Sequence, residues 1–162
     1  MKKTIIIYAS KHHNNTYKLV KAISDKYEIT TIDATKEAFA DLTEYDTIGF
    51  ASGIDFGKFY EEIENFAEAN LPIKKEVFFL YTCAMQRKGF TNSIKEIALK
   101  KDAIILGEYG CKGYNTYGPW QLIGGMNKNH PTEAEIVGVV KFYRELIKSN
   151  QNQKFFNGSS NL

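Results

Sequence analysis

A polar loop near the start of the chain, from Ser10 to Thr16 (SKHHNNT), carries the densest set of side chains that could bind a ligand. It follows the apolar run Ile5–Tyr8 and precedes the amphipathic segment Tyr17–Tyr27, which predicts a strand, a loop and a helix. The first backbone N–H groups of a helix have no partner within it and lie at the positive end of its dipole. Such a loop is suited to binding phosphate.

The composition of this loop limits the kind of phosphate ligand. It lacks the G-x-G-x-x-G of dinucleotide folds and the G-x-x-x-x-G-K-[ST] of nucleoside triphosphatases. Its side-chain donors suit the several oxygens of one terminal monophosphate. The competing interpretation is a polar turn with an Asn N-cap that binds no ligand.

Three later loops contain residues that could line a flat ring. Residues 52–59 place two glycines around Asp55 and Phe56, residues 81–86 are mostly small, and residues 110–120 are long, aromatic and rich in glycine. Each also has a purely structural interpretation, an ordinary glycine turn or a strand end with Cys83 as a small buried side chain.

Five apolar runs predict the strands that position these loops: Thr4–Tyr8, Glu28–Ile32, Thr47–Ser52, Val77–Thr82 and Ala103–Glu108. Continuous apolar runs separated by helical patterns indicate parallel strands covered on both faces. Right-handed crossovers then predict an α/β three-layer sandwich, a five-stranded parallel sheet of order 2-1-3-4-5 with helices on both faces. Ligands bind such sheets beyond the carboxyl ends of strands one and three, where the strand order reverses.

The helical patterns are amphipathic. Residues expected to face the sheet are Leu19, Val20 and Ile23 in the first helix, Phe59, Ile63, Phe66 and Ala67 in a second, Ile97 and Leu99 in a third, and Ile136, Val139, Val140, Tyr143 and Ile147 in the last. Capping boxes are predicted at Ser93–Glu96 and Thr132–Glu135. Residues 33–46 are compatible with a helix or with a short turn around residues 36–39.

Length and charge suit one domain over residues 1–150, followed by a polar tail, 151–162, predicted to be disordered. A net charge of +2 without a basic stripe argues against nucleic acid, and no apolar segment is long enough to span a membrane. The short apolar run after Met1 does not fit a signal peptide, so a cytoplasmic location is expected. Cys83 and Cys111 should end neighbouring strands, close together and reduced, as packing residues.

Three other site types fit less well. A phosphoacceptor receiver domain needs acids where the chain has Ser10–His12 and Ser52. A dinucleotide domain would use Asp33 but lacks the glycine fingerprint. His12, His13 and His130 have no carboxylate or thiol at ligand spacing, which argues against a metal site.

Taken together, the loops resemble the flavodoxin family, specifically small flavodoxin-like proteins, from Lys3 to about Ile147. The matching segments are Tyr8–Ser10, Asn15–Thr16, Gly49–Ile54, Cys111–Pro119 and Gly124–Pro131. The usual T-G-N-T of the phosphate loop reads His13–Thr16 (HNNT) here, so Asn14 must adopt the positive φ that Gly would supply. The chain is also mildly basic, whereas electron-carrying flavodoxins tend to be acidic.

The resemblance implies a non-covalently bound FMN that cycles through semiquinone and hydroquinone. Carried over by position, the phosphate is expected to contact Ser10, His12, His13, Asn14, Asn15 and Thr16. One side of the isoalloxazine ring is expected to lie against Ser52, Gly53, Ile54, Asp55, Phe56 and Gly57. The pyrimidine edge of the ring is expected to face Thr82, Cys83 and Ala84, and its far side is expected to face Gly113, Tyr114 and Asn115. A Gly53 or Gly57 peptide is expected to turn its carbonyl toward flavin N5.

Two functions stay open after this resemblance. The first is an electron carrier that exchanges electrons with redox partner proteins. The second is an FMN-dependent NAD(P)H oxidoreductase reducing a quinone or a similar small aromatic, with Tyr114, Tyr117 and Trp120 as a wall over the flavin. In both cases the chemistry belongs to the cofactor, no catalytic side chain is expected, and the chain would be a monomer or a weak homodimer. A flavin-free interaction domain is a third, less supported reading.

Overall fold

The computed structural model describes the backbone of residues 2–158 and the side chains of residues 2–149. Strands, α-helices and one 3₁₀ helix follow each other in this order: β1 Thr4–Ala9, α1 Asn15–Ser24, β2 Thr30–Asp33, β3 Thr47–Asp55, β4 Lys58–Phe59, α2 Glu61–Asn70, β5 Glu76–Cys83, α3 Asn92–Lys100, β6 Ile104–Lys112, the 3₁₀ helix Gly118–Ile123 and α4 Glu133–Gly158.

The sheet has the parallel order β2-β1-β3-β5-β6, which confirms the predicted 2-1-3-4-5 arrangement of five parallel strands. β4, which the sequence did not predict, pairs antiparallel with the end of β3. This hairpin extends β3 from its predicted end at Ser52 to Asp55, so Gly53, Ile54 and Asp55 lie within the strand and not in a loop after it. β6 likewise continues to Lys112, beyond its predicted end.

Each face of the sheet has its own apolar core, as alternation along β1 shows. Ile5 and Ile7 pack on the side covered by α2 and α3, whereas Ile6 packs on the side covered by α1 and α4. Because both faces are covered, β1, β3 and β5 are almost entirely buried, and this is why their sequences are continuously apolar. The structure therefore confirms the three-layer sandwich.

One of the two predicted capping boxes forms. At the start of α4, the Glu135 N–H donates to Thr132 Oγ1 (3.2 Å), and the Thr132 N–H donates to Glu135 Oε2 (2.7 Å). The box predicted at Ser93 is wrong because α3 already begins at Asn92. Its N-cap residue, Thr91, makes no side-chain cap and instead donates its hydroxyl to Glu108 Oε2 on β6 (2.6 Å).

Several expected burials also differ from the structure. Phe59 is buried, but it belongs to β4, because α2 begins only at Glu61. Leu99 is 59% exposed near the end of α3, while Val139 and Tyr143 of α4 are buried as predicted. Asp33 ends β2, and residues 34–46 form turns and irregular segments without a helix.

The last helix is longer than expected. α4 continues to Gly158, where the sequence predicted a disordered tail from residue 151; residues 159–162 lie outside the described part of the chain. Once a helix is nucleated, each further residue adds a backbone hydrogen bond, and Gln, Asn and Lys do not stop this propagation as Pro would. Within residues 2–158, no helix combines the length and apolar character needed to cross a membrane.

Candidate functional site

The carboxyl edge of the sheet opens into one cleft with a volume of about 180 Å³. Its lining residues are Ser10, Lys11, His12, Asn15, Thr16, Gly53, Ile54, Asp55, Phe56, Tyr60, Thr82, Cys83, Ala84, Gly113, Tyr114, Asn115 and Tyr117. The sequence-predicted site residues are thus brought together, except that His13, Asn14, Ser52 and Gly57 do not line the cleft. Lys11 and Tyr60 are lining residues that the sequence reasoning missed.

The turn before α1 has an unusual backbone conformation. His13 and Asn14 both have left-handed φ values, 51° and 55°. The positive φ predicted for Asn14 is confirmed, and that of His13 was not predicted. The imidazole lies outside the cleft, where Nε2 is 2.9 Å from Thr116 Oγ1 and the ring packs on Tyr114 with 4.1 Å between centroids.

This turn leaves several backbone donors open. The Asn15 N–H donates to the His12 carbonyl (3.2 Å), and the Tyr17 N–H donates to Ser10 Oγ (3.2 Å). Among residues 2–158, no protein acceptor is hydrogen-bonded to the N–H groups of four residues at this end of α1, namely His12, His13, Asn14 and Thr16. Of these four residues, His12 and Thr16 line the cleft, so the N-terminus of α1 offers free amides at one end of it, where the helix dipole favours an anion.

Two side chains predicted to hold phosphate have protein partners instead. Asn15 is buried, its Nδ2 donates to the Tyr114 carbonyl (2.8 Å), and its Oδ1 accepts the Tyr114 N–H (3.2 Å). Thr16 Oγ1 lies 2.9 Å from Thr82 Oγ1. A Cβ at Gly113 would stand 2.7 Å from Asn15 Nδ2, so glycine is needed for this close approach. Asn15 thus links α1 to the segment after β6, and Thr16 links α1 to β5.

A tight hairpin forms one wall of the cleft. Phe56 (φ 48°) and Gly57 (φ 80°) connect β3 to β4, where Asp55 pairs with Lys58. Positive φ at both central residues is the type I′ turn, which normally takes Asn-Gly. Phe56 is 95% exposed, so a large aromatic side chain occupies a strained position without a core contact that would explain it.

The base of this wall is a buried hydrogen-bonded arrangement. Ser52 Oγ donates to the Gly53 carbonyl (2.6 Å) and accepts the Tyr60 N–H (2.8 Å), so Ser52 supports the wall from beneath. Burial, with smaller effects of Asp55 and Glu62, raises the pKa of Tyr60 to about 12.

Lys11 lies over this part of the cleft. Its Nζ is 4.6 Å from the centroid of the Tyr60 ring and 2.7 Å from Glu62 Oε1. No local pattern brings these three residues together, because they come from the loop after β1 and the segment after β4.

The floor is formed by the carboxyl end of β5. Cys83 and Cys111 are both buried free thiols, and Cys83 Sγ lies 3.1 Å from Gln86 Oε1 and 3.5 Å from the Cys111 carbonyl. Burial raises the pKa of Cys83 to about 11 and that of Cys111 to about 12. The expectation that the two cysteines lie close together as buried packing residues is confirmed, and their reduced state stays a prediction. The described residues contain no group of His, Cys, Asp and Glu that could hold a metal ion.

The long segment after β6 forms the opposite wall and is held in place by hydrogen bonds. Asn115 and Met126 exchange backbone hydrogen bonds (2.8 and 2.7 Å), and Asn127 Nδ2 donates to the Ala84 carbonyl (2.7 Å). Tyr114 and Tyr117 line the cleft as expected for an aromatic wall, but Trp120, in the 3₁₀ helix, does not.

Comparisons with known proteins agree with this architecture. The family model of the flavodoxin domain matches residues 5–108. An uncharacterised protein of Methanocaldococcus jannaschii is 36% identical over 149 residues, which are 91% of this chain and 99% of that protein.

Solved structures share the fold at low sequence identity. A flavodoxin from the domain Archaea is 14% identical with a TM-score of 0.62, covering 90% of this chain and 97% of that one. A flavoprotein from Lactobacillus acidophilus, crystallised in complex with FMN, is 18% identical with a TM-score of 0.51, covering 69% of this chain and 93% of its own. The match of the family model and the 36% identity over nearly the whole chain show that this protein belongs to the flavodoxin domain family.

Proposed function

We propose that this protein binds FMN in the cleft and acts as an electron-transfer protein. The observation that carries the proposal is the pairing, in one cleft, of open amides at the N-terminus of α1 with an exposed aromatic hairpin wall. A ligand with an anionic end and a flat aromatic end is complementary to both features. The flavoprotein from Lactobacillus acidophilus, which has this fold and was crystallised with FMN, supports the choice of ligand.

The residues of the phosphate end fit a terminal phosphate. The backbone N–H groups of the lining residues His12 and Thr16 are available as donors, and the Ser10 hydroxyl, which accepts the Tyr17 N–H, still has its own hydrogen to donate. Because the Asn15 and Thr16 side chains are engaged with Tyr114 and Thr82, we assign phosphate binding mainly to the backbone. The two left-handed residues shape this loop.

The other end of the cleft fits a flat ring. Phe56 and Tyr117 would cover its faces or edges, and the Thr82–Ala84 floor would meet the ring edge. When bound, FMN supplies the redox chemistry, while the protein orients the ring and keeps water from part of it. Gly53 lines the cleft, but its carbonyl already accepts the Ser52 hydroxyl. Gly57 does not line the cleft itself, but it has open space around it and follows the lining residue Phe56, so it is the better candidate for the peptide that would turn toward N5.

The direct test is a visible absorption spectrum of the purified protein, followed by titration of apoprotein with FMN while flavin fluorescence is recorded. We expect flavin absorption bands, or quenching that saturates at one FMN per chain. Absence of binding at roughly hundreds of micromolar FMN, an affinity weaker than about −5 kcal/mol, would contradict the proposal.

A matched pair of variants tests the phosphate end. Asn14→Gly keeps the left-handed conformation and, because Asn14 makes no side-chain cap, should retain FMN affinity. Asn14→Val resists positive φ and should weaken FMN binding by roughly tenfold or more. Riboflavin, which lacks the phosphate, is the control ligand, and its affinity should be nearly equal in the two variants. If Asn14→Val lowered the affinities for FMN and riboflavin equally, the substitution would not act through the phosphate, and this would contradict the assignment of the loop to phosphate binding.

The second candidate is an FMN-dependent NAD(P)H oxidoreductase that reduces a quinone or a similar small aromatic. It is favoured by Tyr114 and Tyr117, which line the cleft and would hold a planar substrate over the flavin. NAD(P)H oxidation that saturates with quinone concentration would support this function. Electron exchange with redox proteins, without such saturation, would support the carrier, which we expect to be a monomer or a weak homodimer.

A further inference from the structure

Charge is distributed unevenly between the two ends of the molecule. The segments at the carboxyl edge of the sheet, residues 10–16, 53–60, 83–90 and 112–132, contain six of the 21 Lys and Arg residues and one of the 19 Asp and Glu residues. We call their combined surface the carboxyl face. These segments have a net charge of +5, and with Glu62 and Glu64, which pair with Lys11 and Lys58, the net charge is +3; since the whole chain has +2, the remainder then has −1.

Most of the positive charge on this face is not neutralised by neighbouring acids. Lys11 pairs with Glu62 (2.7 Å) and Lys58 pairs with Glu64 (2.9 Å). The remaining four, Arg87, Lys88, Lys112 and Lys128, are exposed, and none has a carboxylate within 4.0 Å among the side chains of residues 2–149. They are thus unpaired cations on segments at the carboxyl edge of the sheet.

The same face also presents large apolar side chains to solvent. Their exposed fractions are 95% for Phe56, 50% for Met85, 75% for Tyr117, 89% for Leu122 and 72% for Ile123. The 3₁₀ helix that carries the last two is held beside the cleft, because the Tyr114 hydroxyl donates to the Gly124 carbonyl (3.0 Å). Exposed apolar groups bordered by charged ones are typical of protein interaction sites.

We propose that the carboxyl face docks an acidic redox protein, with the apolar side chains at the centre of the contact and the four unpaired cations at its rim. The proposal rests on the proposed function, because electron exchange requires a partner close to the cleft. A small anionic substrate would not explain it, since Leu122, Ile123 and Met85 do not line the cleft. Cations spread over several loops attract a large acidic surface from a distance and orient it before contact.

The test uses a fluorescently labelled, strongly acidic [2Fe–2S] ferredoxin as the probe. Its binding is followed by anisotropy at low ionic strength, with the apoprotein and after FMN addition. We expect binding that weakens as salt is added, and no comparable binding of the basic protein cytochrome c. The double substitution Lys112→Glu with Lys128→Glu should weaken ferredoxin binding by roughly tenfold or more.

The matched control reverses the charge of two lysines at the opposite edge of the sheet, in the double substitution Lys26→Glu with Lys100→Glu. Lys26 follows the end of α1 and Lys100 ends α3, both of which run away from the carboxyl face, and the net charge changes equally. Binding should change by about twofold or less. Leu122→Ser should weaken binding without altering its salt dependence, because it removes an apolar contact only.

Equal losses in the two charge-reversed variants would overturn the proposal, as would the absence of ferredoxin binding at about 100 µM, a contact weaker than that of transient redox complexes. Binding to phosphatidylglycerol vesicles in place of ferredoxin would overturn it in favour of a membrane surface. FMN titration of every variant separates the two proposals. Ferredoxin binding by apoprotein that does not take up FMN would contradict the proposed function alone, whereas normal FMN binding without ferredoxin binding would contradict the docking proposal alone.

Discussion

At the scale of single residues, the two proposals make Phe56 the position where stability and binding would make opposite demands. It has φ 48° in a type I′ hairpin, a conformation that Asn adopts more readily than an aromatic residue. Its side chain is 95% exposed, so the folded chain gains almost no burial from it. A ligand or partner that covers the ring would supply the missing contact, and this is why both proposals include it.

We therefore expect Phe56→Asn to stabilise the apoprotein and to weaken FMN binding. Relief of backbone strain should add about 1 kcal/mol to the free energy of unfolding. Loss of the aromatic contact should raise the Kd for FMN by roughly tenfold. Urea denaturation and flavin fluorescence titration measure the two effects separately. A destabilised variant with unchanged FMN affinity would show that Phe56 serves the fold.

At the scale of secondary-structure elements, the two predicted capping boxes show that the same local pattern forms a helix cap at one position and not at another. Both have a hydroxyl residue followed three positions later by Glu. In the Thr132 box the two residues are reciprocally hydrogen-bonded. Ser93, in contrast, lies inside α3, and the N-cap residue of that helix, Thr91, donates its hydroxyl to Glu108 of β6.

Substitution by Ala should distinguish the two boxes. Thr132→Ala removes the acceptor for the Glu135 N–H and should lower the free energy of unfolding by about 1 kcal/mol. Ser93→Ala should change it by about 0.5 kcal/mol or less, because no cap is lost and Ala favours helix. Urea denaturation midpoints with equal m-values provide the comparison. If both substitutions lowered the free energy of unfolding equally, the Ser93 hydroxyl would contribute as much to stability as the Thr132 cap, which would contradict this prediction.

At the scale of the whole molecule, the two-sided core makes the protein sensitive to alkali. Burial raises the pKa of Cys83 to about 11 and the pKa values of Cys111 and Tyr60 to about 12. In the unfolded chain these thiols and the phenol titrate near their ordinary values, 9.0 and 10.0. Above pH 9 the unfolded chain therefore releases protons that the folded chain retains, and this stabilises the unfolded state.

We expect the free energy of unfolding to fall between pH 9 and pH 12, the interval between the ordinary thiol value and the raised values. The fall should amount to a few kcal/mol, since each shifted group contributes up to about 1.4 kcal/mol per pH unit. Urea denaturation at a series of pH values under reducing conditions measures this fall. Cys111→Ala removes one of the shifted groups and should make the free energy of unfolding depend less steeply on pH. A free energy of unfolding that stays constant or increases between pH 9 and pH 12 would contradict the raised pKa values of these three groups.

The sequence was sufficient for the order of the five parallel strands and for the edge of the sheet at which the cleft opens. β1, β3 and β5 are covered on both faces, so burial leaves a continuous apolar run that can be recognised without knowing the partner strands. Parallel strands end at one edge, so the loops that follow them had to meet. The positive φ of Asn14 was also predictable, because the residue stands where a glycine would be expected.

Only the tertiary structure decided what each polar side chain does in the site and what kind of surface surrounds it. Asn15 could have served a phosphate or Tyr114, 99 positions away, and its own neighbours are the same in both cases. The Lys11–Glu62 pair and the positive carboxyl face likewise arise from loops that are distant in sequence, so acids and bases look interspersed along the chain. Burial of a strand or helix produces an apolar pattern among neighbouring residues, so it can be recognised in the sequence. Hydrogen-bond partners and surface charge depend instead on which distant segments the fold brings together.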